Sequence, residues 1–281
     1  MSSMNAGESK AMSASGFPRS VVVYGTGLMG CSLALALRKQ LPGIHVFGVD
    51  SPEILARARN VGAIEAGSDP SADLIVLATP VGAILAQLDD LPIGPGLILD
   101  LGSTKVAICR RAEGRKLPFI GGHPMTGSER SGPEAASADL FRDKPFFLCP
   151  VSTTPADAIA RLTPVLGSIG AHPLVIDPRQ HDSLVAQLSH LPQILATLLA
   201  DQTAANKDLA GPGWKSITRL AASPFHVWRD ILQTSGSLPE ELRSYVTRLS
   251  AVIDALDAGN MKELESIFER ANRSVAGNTY E

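Results

Sequence analysis

The stretch Val21-Val22-Val23-Tyr24-Gly25-Thr26-Gly27-Leu28-Met29-Gly30 decides the fold. A run of β-forming residues reads as a buried strand, the glycines follow in a G-x-G-x-x-G pattern, and a helical pattern begins at Leu28. Glycine triplets are common in loops, but strand before and helix after is the context of a dinucleotide-binding turn. Gly25 permits the tight turn, Gly27 lets the backbone approach a pyrophosphate, and Gly30 lets helix and strand pack closely. Leu28 and Met29 open the helix, whose free N–H groups and partial positive charge suit phosphate. The next strand, residues 45–49, leads into Asp50, twenty residues after Gly30. A carboxylate there accepts the ribose hydroxyls of NAD and repels a 2′-phosphate. Ser51 and Pro52 follow instead of Lys or Arg, so NAD is favoured over NADP.

Working outward, apolar runs recur at residues 74–79, 97–101, 119–121 and 146–149, with helical patterns and Pro/Gly turns between them. Continuous apolar strands separated by helices indicate an α/β domain with a parallel sheet covered on both faces. Beyond Pro178 no strand is expected. Helical patterns run over about 179–205, 214–222, 224–233 and 239–276, with a break at Gly259. The expected organisation is a flexible tail over 1–18, a Rossmann-type NAD-binding domain over 19–177, and an all-helical substrate and dimerisation domain over 178–281.

Composition narrows the function classes. The 281 residues are 44% hydrophobic and 19% charged, which excludes a disordered chain. A net charge of −3 and 5% aromatics argue against a nucleic-acid partner. Cys31, Cys109 and Cys149 are far apart and form no CxxC, so buried reduced thiols are expected instead of disulfides or a zinc site. No spacing of His and acidic residues matches a metal-ligand motif, so no metal is expected. The first 18 residues lack the apolar core of a signal peptide, and no continuous apolar run reaches the roughly 20 residues of a membrane span. A cytoplasmic protein with no membrane partner is the expectation.

Ligands of open α/β sheets bind at the carboxyl ends of the strands. Thr79-Pro80 closes one strand and borders the cofactor, or is a simple turn. Ser103, in Gly102-Ser103-Thr104-Lys105, is a site residue or a helix cap. His123 follows two glycines and precedes a proline, which keeps its backbone extended. A histidine held there beside a nicotinamide suits a general base; alone, it is equally readable as structural. In the helical half, His181-Asp182 opens the long helix, and His190 and Gln193 follow on it. Arg219, flanked by apolar residues, is a carboxylate clamp or a snorkelling surface side chain.

Together these pieces resemble one family. Gly121-Gly122-His123-Pro124-Met125-Thr126-Gly127-Ser128-Glu129 is similar to the GGHPxxGxE segment of the prephenate/arogenate (cyclohexadienyl) dehydrogenases of tyrosine biosynthesis. Gly102-Ser103-Thr104-Lys105 resembles their SxK loop. His181-Asp182 with Ser189-His190-Leu191-Pro192 resembles their HD…SHLP helix. Thr218-Arg219-Leu220-Ala221, Ser223-Pro224 and Trp228-Arg229-Asp230-Ile231 resemble TRIA…SxP…WxDI.

The resemblance implies oxidative decarboxylation of prephenate or arogenate with NAD, by a homodimer joined through its helical domain. It makes His123 the acceptor for the substrate 4-hydroxyl and Ser103 the residue holding that hydroxyl in register. Arg219 becomes the carboxylate clamp, and Ser128, His190 and Gln193 line the substrate side, His190 and Asp182 in supporting roles. Two departures stand out. Gln193 replaces a histidine frequent in prephenate users, and Ser216 replaces an Asp, leaving an ionic gate with Glu129 and Arg219 incomplete. Two other readings are a β-hydroxyacid-type dehydrogenase and a non-catalytic NAD-sensing protein of the same fold. The first needs a catalytic Lys, which 179–205 lacks; the second would lack base or clamp.

Overall fold

The computed structural model describes residues 17–94, 96–128 and 130–276; the expected tail up to residue 16, and Glu129, lie outside the described residues. The N-terminal half runs β1 (Ser20–Tyr24), α1 (Leu28–Gln40), β2 (His45–Val49), α2 (Pro52–Asn60), β3 (Leu74–Leu77), α3 (Val81–Asp90), β4 (Leu97–Asp100) and α4 (Val106–Gly114). It continues through β5 (Phe119–Pro124), β6 (Pro145–Pro150), α5 (Ala158–Ser168) and β7 (His172–Val175). The central strands are buried on both faces: Val21, Val23, Leu74, Val76, Leu97 and Leu99 are shielded on one, and Val22, Leu77 and Ile98 on the other. Each such side chain stabilises the fold by about 1.5–3 kcal/mol.

The strand order is β2-β1-β3-β4-β5-β6-β7. The chain reverses its direction of travel across the sheet between β1 and β3, which opens a crevice at their carboxyl ends. Two features differ from the sequence reading. β6 is antiparallel to β5, with His123 opposite Phe147, so the sheet is mixed. A seventh strand, β7, pairs parallel to β6 at the edge. Phe17, expected in the flexible tail, packs into the core under the Arg161 guanidinium, 3.8 Å from its ring.

The helical half contains α6 (Pro178–Val185), α7 (Leu191–Gln202), α8 (Pro212–Thr218), α9 (Phe225–Thr234), α10 (Leu238–Asp257) and α11 (Met261–Val275). Asp177 caps α6 by accepting from Arg179 N at 2.8 Å and Gln180 N at 3.3 Å. The helix expected over 179–205 is interrupted between α6 and α7 by a π-helical turn, Ala186–His190, closed by Leu191 N donating to Ala186 O. Pro192 supplies the cause: its ring would clash with the carbonyl four residues back, and the wider turn relieves this. The break at Gly259 is present, at φ +64°.

Pro178–Gln202 together spans 25 residues and is apolar enough on average to cross a membrane, which no continuous run is. Its polar residues His181, Asp182, His190 and Gln193 are nevertheless buried within the chain. α9 ties the two halves together. Asp230 Oδ2 accepts from Gly82 N at 2.8 Å, and the Thr234 and Thr104 hydroxyls lie 2.7 Å apart.

Candidate active site

At the β1–α1 turn each glycine has a distinct local requirement. Gly25 has φ +89°, and a Cβ there would sit 2.7 Å from the Thr79 methyl. A Cβ on Gly30 would lie 2.0 Å from Gly25 O, whereas one on Gly27 would meet nothing within 4 Å. The turn is therefore closed against β3 and open outward at Gly27. The N-terminus of α1 carries no side-chain cap and no acidic residue in its first turn. Asp50, just past β2, turns its carboxylate to the loop, accepting from Thr26 N and from Ser51 N, each at 2.8 Å. Thr79 donates to Gln87 Oε1 at 2.9 Å, and Pro80 is the N-cap before α3. An uncapped helix end, an open glycine face and a carboxylate at the end of β2 fit a dinucleotide.

On the same carboxyl edge of the sheet, two strands beyond β3, β5 carries His123 near its carboxyl end. Gly122 is needed just before it: a Cβ would lie 2.4 Å from Asp100 O. That close approach lets Gly122 N donate to Asp100 Oδ1 at 3.0 Å. Asp100 Oδ2 accepts from Gly102 N at 2.8 Å and from the Lys105 ammonium, which also donates to Gly122 O at 2.7 Å. Asp100 and Lys105 are fully buried. A charge buried that deeply requires a partner, and this pair knots the Ser103 loop to the His123 strand.

Behind His123 lie two more polar groups. Its Nδ1 is 2.8 Å from His181 Nε2, and His181 Nδ1 is 2.8 Å from Asp182 Oδ1. The Asp182 carboxylate also accepts from Lys105 N at 2.7 Å and Val106 N at 2.9 Å, capping α4. Burial, then His181, Lys105 and His190, hold His123 well below the usual histidine range. Its imidazole is therefore neutral at pH 7 and able to accept a proton.

A cavity of about 230 Å³ is lined by Gly127, Ser128, Arg219, Leu220 and Ser223. It brings together Ser128 from the β5–β6 connection and Arg219 from the helical half. Two expected substrate contacts face elsewhere. Gln193 is buried and donates to Leu220 O at 2.9 Å and Thr197 Oγ1 at 3.3 Å, holding the segment beside Arg219. His190 is buried, its Nδ1 2.8 Å from Ser235 Oγ and its ring edge-on to Trp228; burial lowers it to about 4. Both side chains are turned inward, with their polar atoms bonded to partners within the helical unit. Asp100 was not singled out from sequence, and Lys105 and His181 stood there only as members of the Gly102–Lys105 and His181-Asp182 motifs, without a role of their own. The available signal was Asp100 itself, a lone charge in the otherwise apolar run Leu97-Ile98-Leu99-Asp100-Leu101.

The nucleotide-binding domain of prephenate dehydrogenase matches residues 33–175 as a family, and the dimerization domain of prephenate dehydrogenase matches 177–270. The first match begins after the glycine turn, so that turn stands on its own geometry. Prephenate dehydrogenase of Bacillus subtilis is 36% identical over 234 residues, covering 75% of this chain and 63% of that protein. Cyclohexadienyl dehydrogenase of Zymomonas mobilis is 30% identical over 277 residues, covering 90% and 94%. Among solved structures, prephenate dehydrogenase from A. aeolicus in complex with hydroxyphenyl propionate and NAD⁺ is similar with a TM-score of 0.85. It is 25% identical, with 91% of this chain and 96% of that one covered. With both family models matched in chain order across the two halves, the chain belongs to the prephenate dehydrogenase family.

Proposed function

We propose that this protein catalyses NAD-dependent oxidative decarboxylation of prephenate to 4-hydroxyphenylpyruvate, of arogenate to tyrosine, or of both. The carrying observation is a neutral His123 on the same carboxyl edge of the sheet as the glycine turn, braced by His181 and knotted to the Ser103 loop. Gly25, Gly27, Gly30, Asp50, Thr79 and Pro80 would hold the dinucleotide, which when bound supplies the two-electron acceptor. His123 takes the proton of the 4-hydroxyl, and Ser103 holds that hydroxyl in register. Arg219 binds a substrate carboxylate at the cavity it shares with Ser128. Gln193 is committed to Leu220 O, so we expect it not to select between keto and amino side chains, and both substrates to turn over.

We further propose a division between 177 and 178 and a cytoplasmic homodimer. Leu198, Phe225, Leu249, Ile253 and Phe268 leave large apolar surfaces exposed on the helical half. Large exposed apolar side chains gathered on one unit suit an interface, and the match to a dimerization domain supports a second copy as its occupant. The test of function is NADH formation from prephenate and from arogenate, each with NAD⁺ and NADP⁺. His123→Asn should stop turnover while NAD⁺ still binds, and near-normal kcat would refute the base. Arg219→Gln should chiefly raise KM, and an unchanged KM would refute the clamp.

A further inference from the structure

We propose that Asp182 and His181 act as positioning residues that fix the tautomer of His123, so that its bare Nε2 faces the substrate hydroxyl. This rests on the reading of His123 as the base. The order of protons follows from groups that cannot change role. Lys105 N and Val106 N are backbone donors, at 2.7 and 2.9 Å from Asp182. An ionised carboxylate only accepts. The 2.8 Å contact between Asp182 Oδ1 and His181 Nδ1 is therefore a proton donated by His181.

A neutral imidazole carries one N–H, so His181 Nε2 is bare and accepts. The 2.8 Å contact at that atom then requires N–H on His123 Nδ1. With that proton placed, His123 Nε2 is the free lone pair. A fixed end, the backbone of α4, thus orients a proton acceptor two side chains away.

The groups facing this chain favour a single proton on each ring. The titratable neighbours of His123 are His181 of α6, Lys105 of the loop before α4 and His190 of the π-helical turn; burial and the Lys105 charge oppose a second proton on it, both other imidazoles being themselves held below the ordinary histidine value. On His181, burial and Lys105 oppose protonation while Asp182 and Asp100 favour it, and the balance lies below the ordinary histidine value.

The test uses the full-length protein with ¹⁵N-labelled histidines, His123 being assigned by its loss in His123→Asn. The expected wild-type spectrum shows His123 as the Nδ1–H tautomer; an Nε2–H tautomer would overturn the relay. This measurement needs no variant at His181. His181→Phe keeps a ring but removes both nitrogens. Its kcat should fall about 10–1,000-fold, a part of the roughly 10²–10⁴-fold that a general base supplies. KM and NAD⁺ affinity should stay within about twofold, and the acid limb of kcat/KM should move to lower pH, because protonated His123 loses the acceptor of its Nδ1–H. His181→Gln, whose carbonyl can accept from His123 Nδ1, should recover part of the loss. A drop in melting temperature with kcat and the acid limb unmoved sinks the relay alone. Normal turnover by His123→Asn sinks the base reading itself.

Discussion

Replacing Lys105 by Met tests the buried knot between the Ser103 loop and the His123 strand. Met matches the length of the Lys stem, so packing changes little while the ammonium is lost. Asp100 would keep two backbone donors, Gly102 N and Gly122 N, but no counter-charge. Removing one partner of a fully buried pair costs about 3–5 kcal/mol, against a total of about 5–15 kcal/mol for a folded domain. The variant should therefore lose about a fifth or more of its stability at pH 7, read by urea denaturation at fixed protein concentration.

The pH dependence of that loss has a definite sign. Burial already raises the Asp100 carboxyl, and Lys105 is the main group pulling it down. Without Lys105 the folded-state value rises further above the unfolded value of about 3.9. The penalty is then full above the raised folded value and vanishes below the unfolded one. Lowering the pH from 7 toward about 4 should narrow the gap between variant and wild type. Adding Asp100→Asn to Lys105→Met should restore most of the lost stability. A loss below about 1 kcal/mol, or one that Asp100→Asn leaves unchanged, would refute the reasoning.

Asp50→Ser removes the carboxylate held against Thr26 N. Losing hydrogen bonds to a charged group costs about 1.5–3 kcal/mol, so KM for NAD⁺ should rise on the order of 10–100-fold while discrimination against NADP⁺ weakens; steady-state kinetics with both cofactors reads this. His123 must be neutral to accept a proton, and burial holds it well below 6.5. Plots of kcat/KM against pH should thus stay flat through pH 6.5 and fall only below it, and an acid limb at or above 6.5 contradicts this. Phe268→Asp places a charge on an exposed apolar face of α11 and should shift the protein toward monomer in light scattering. If the wild type is itself monomeric at micromolar concentration, the interface reading fails.

The alternation of buried strands and helices was legible because each central strand is apolar on both faces, and Gly25 to Gly30 announced the turn at its start. β7 was not legible: His172-Pro173-Leu174-Val175 is a short edge strand, with Leu174 and Val175 exposed, and its proline argues against a strand. The reversal at β6 was equally hidden, since residues 146–149 are continuously buried and apolar runs carry no sign of direction. His123 and Arg219 could be picked out because each stands in a short local pattern. The bond from His123 to His181 spans 58 residues and exists only once α6 docks against β6 and α4. Gln193 shows the converse. Its identity suggested a ligand contact, but a backbone carbonyl at Leu220 lies closer to hand.

The π-helical turn sets an angular phase. His181 and His190 are nine residues apart, and at about 100° per residue an unbroken α-helix would aim them in opposite directions. The wider turn over Ala186–His190 under-rotates the chain, and both rings end up buried toward the interior. Everything after the turn inherits that offset, including Gln193, whose grip on Leu220 O holds the segment bearing Arg219. Excising one residue from the turn would swing α7 by about 100°, carrying the carboxylate clamp out of line with the base without altering either residue.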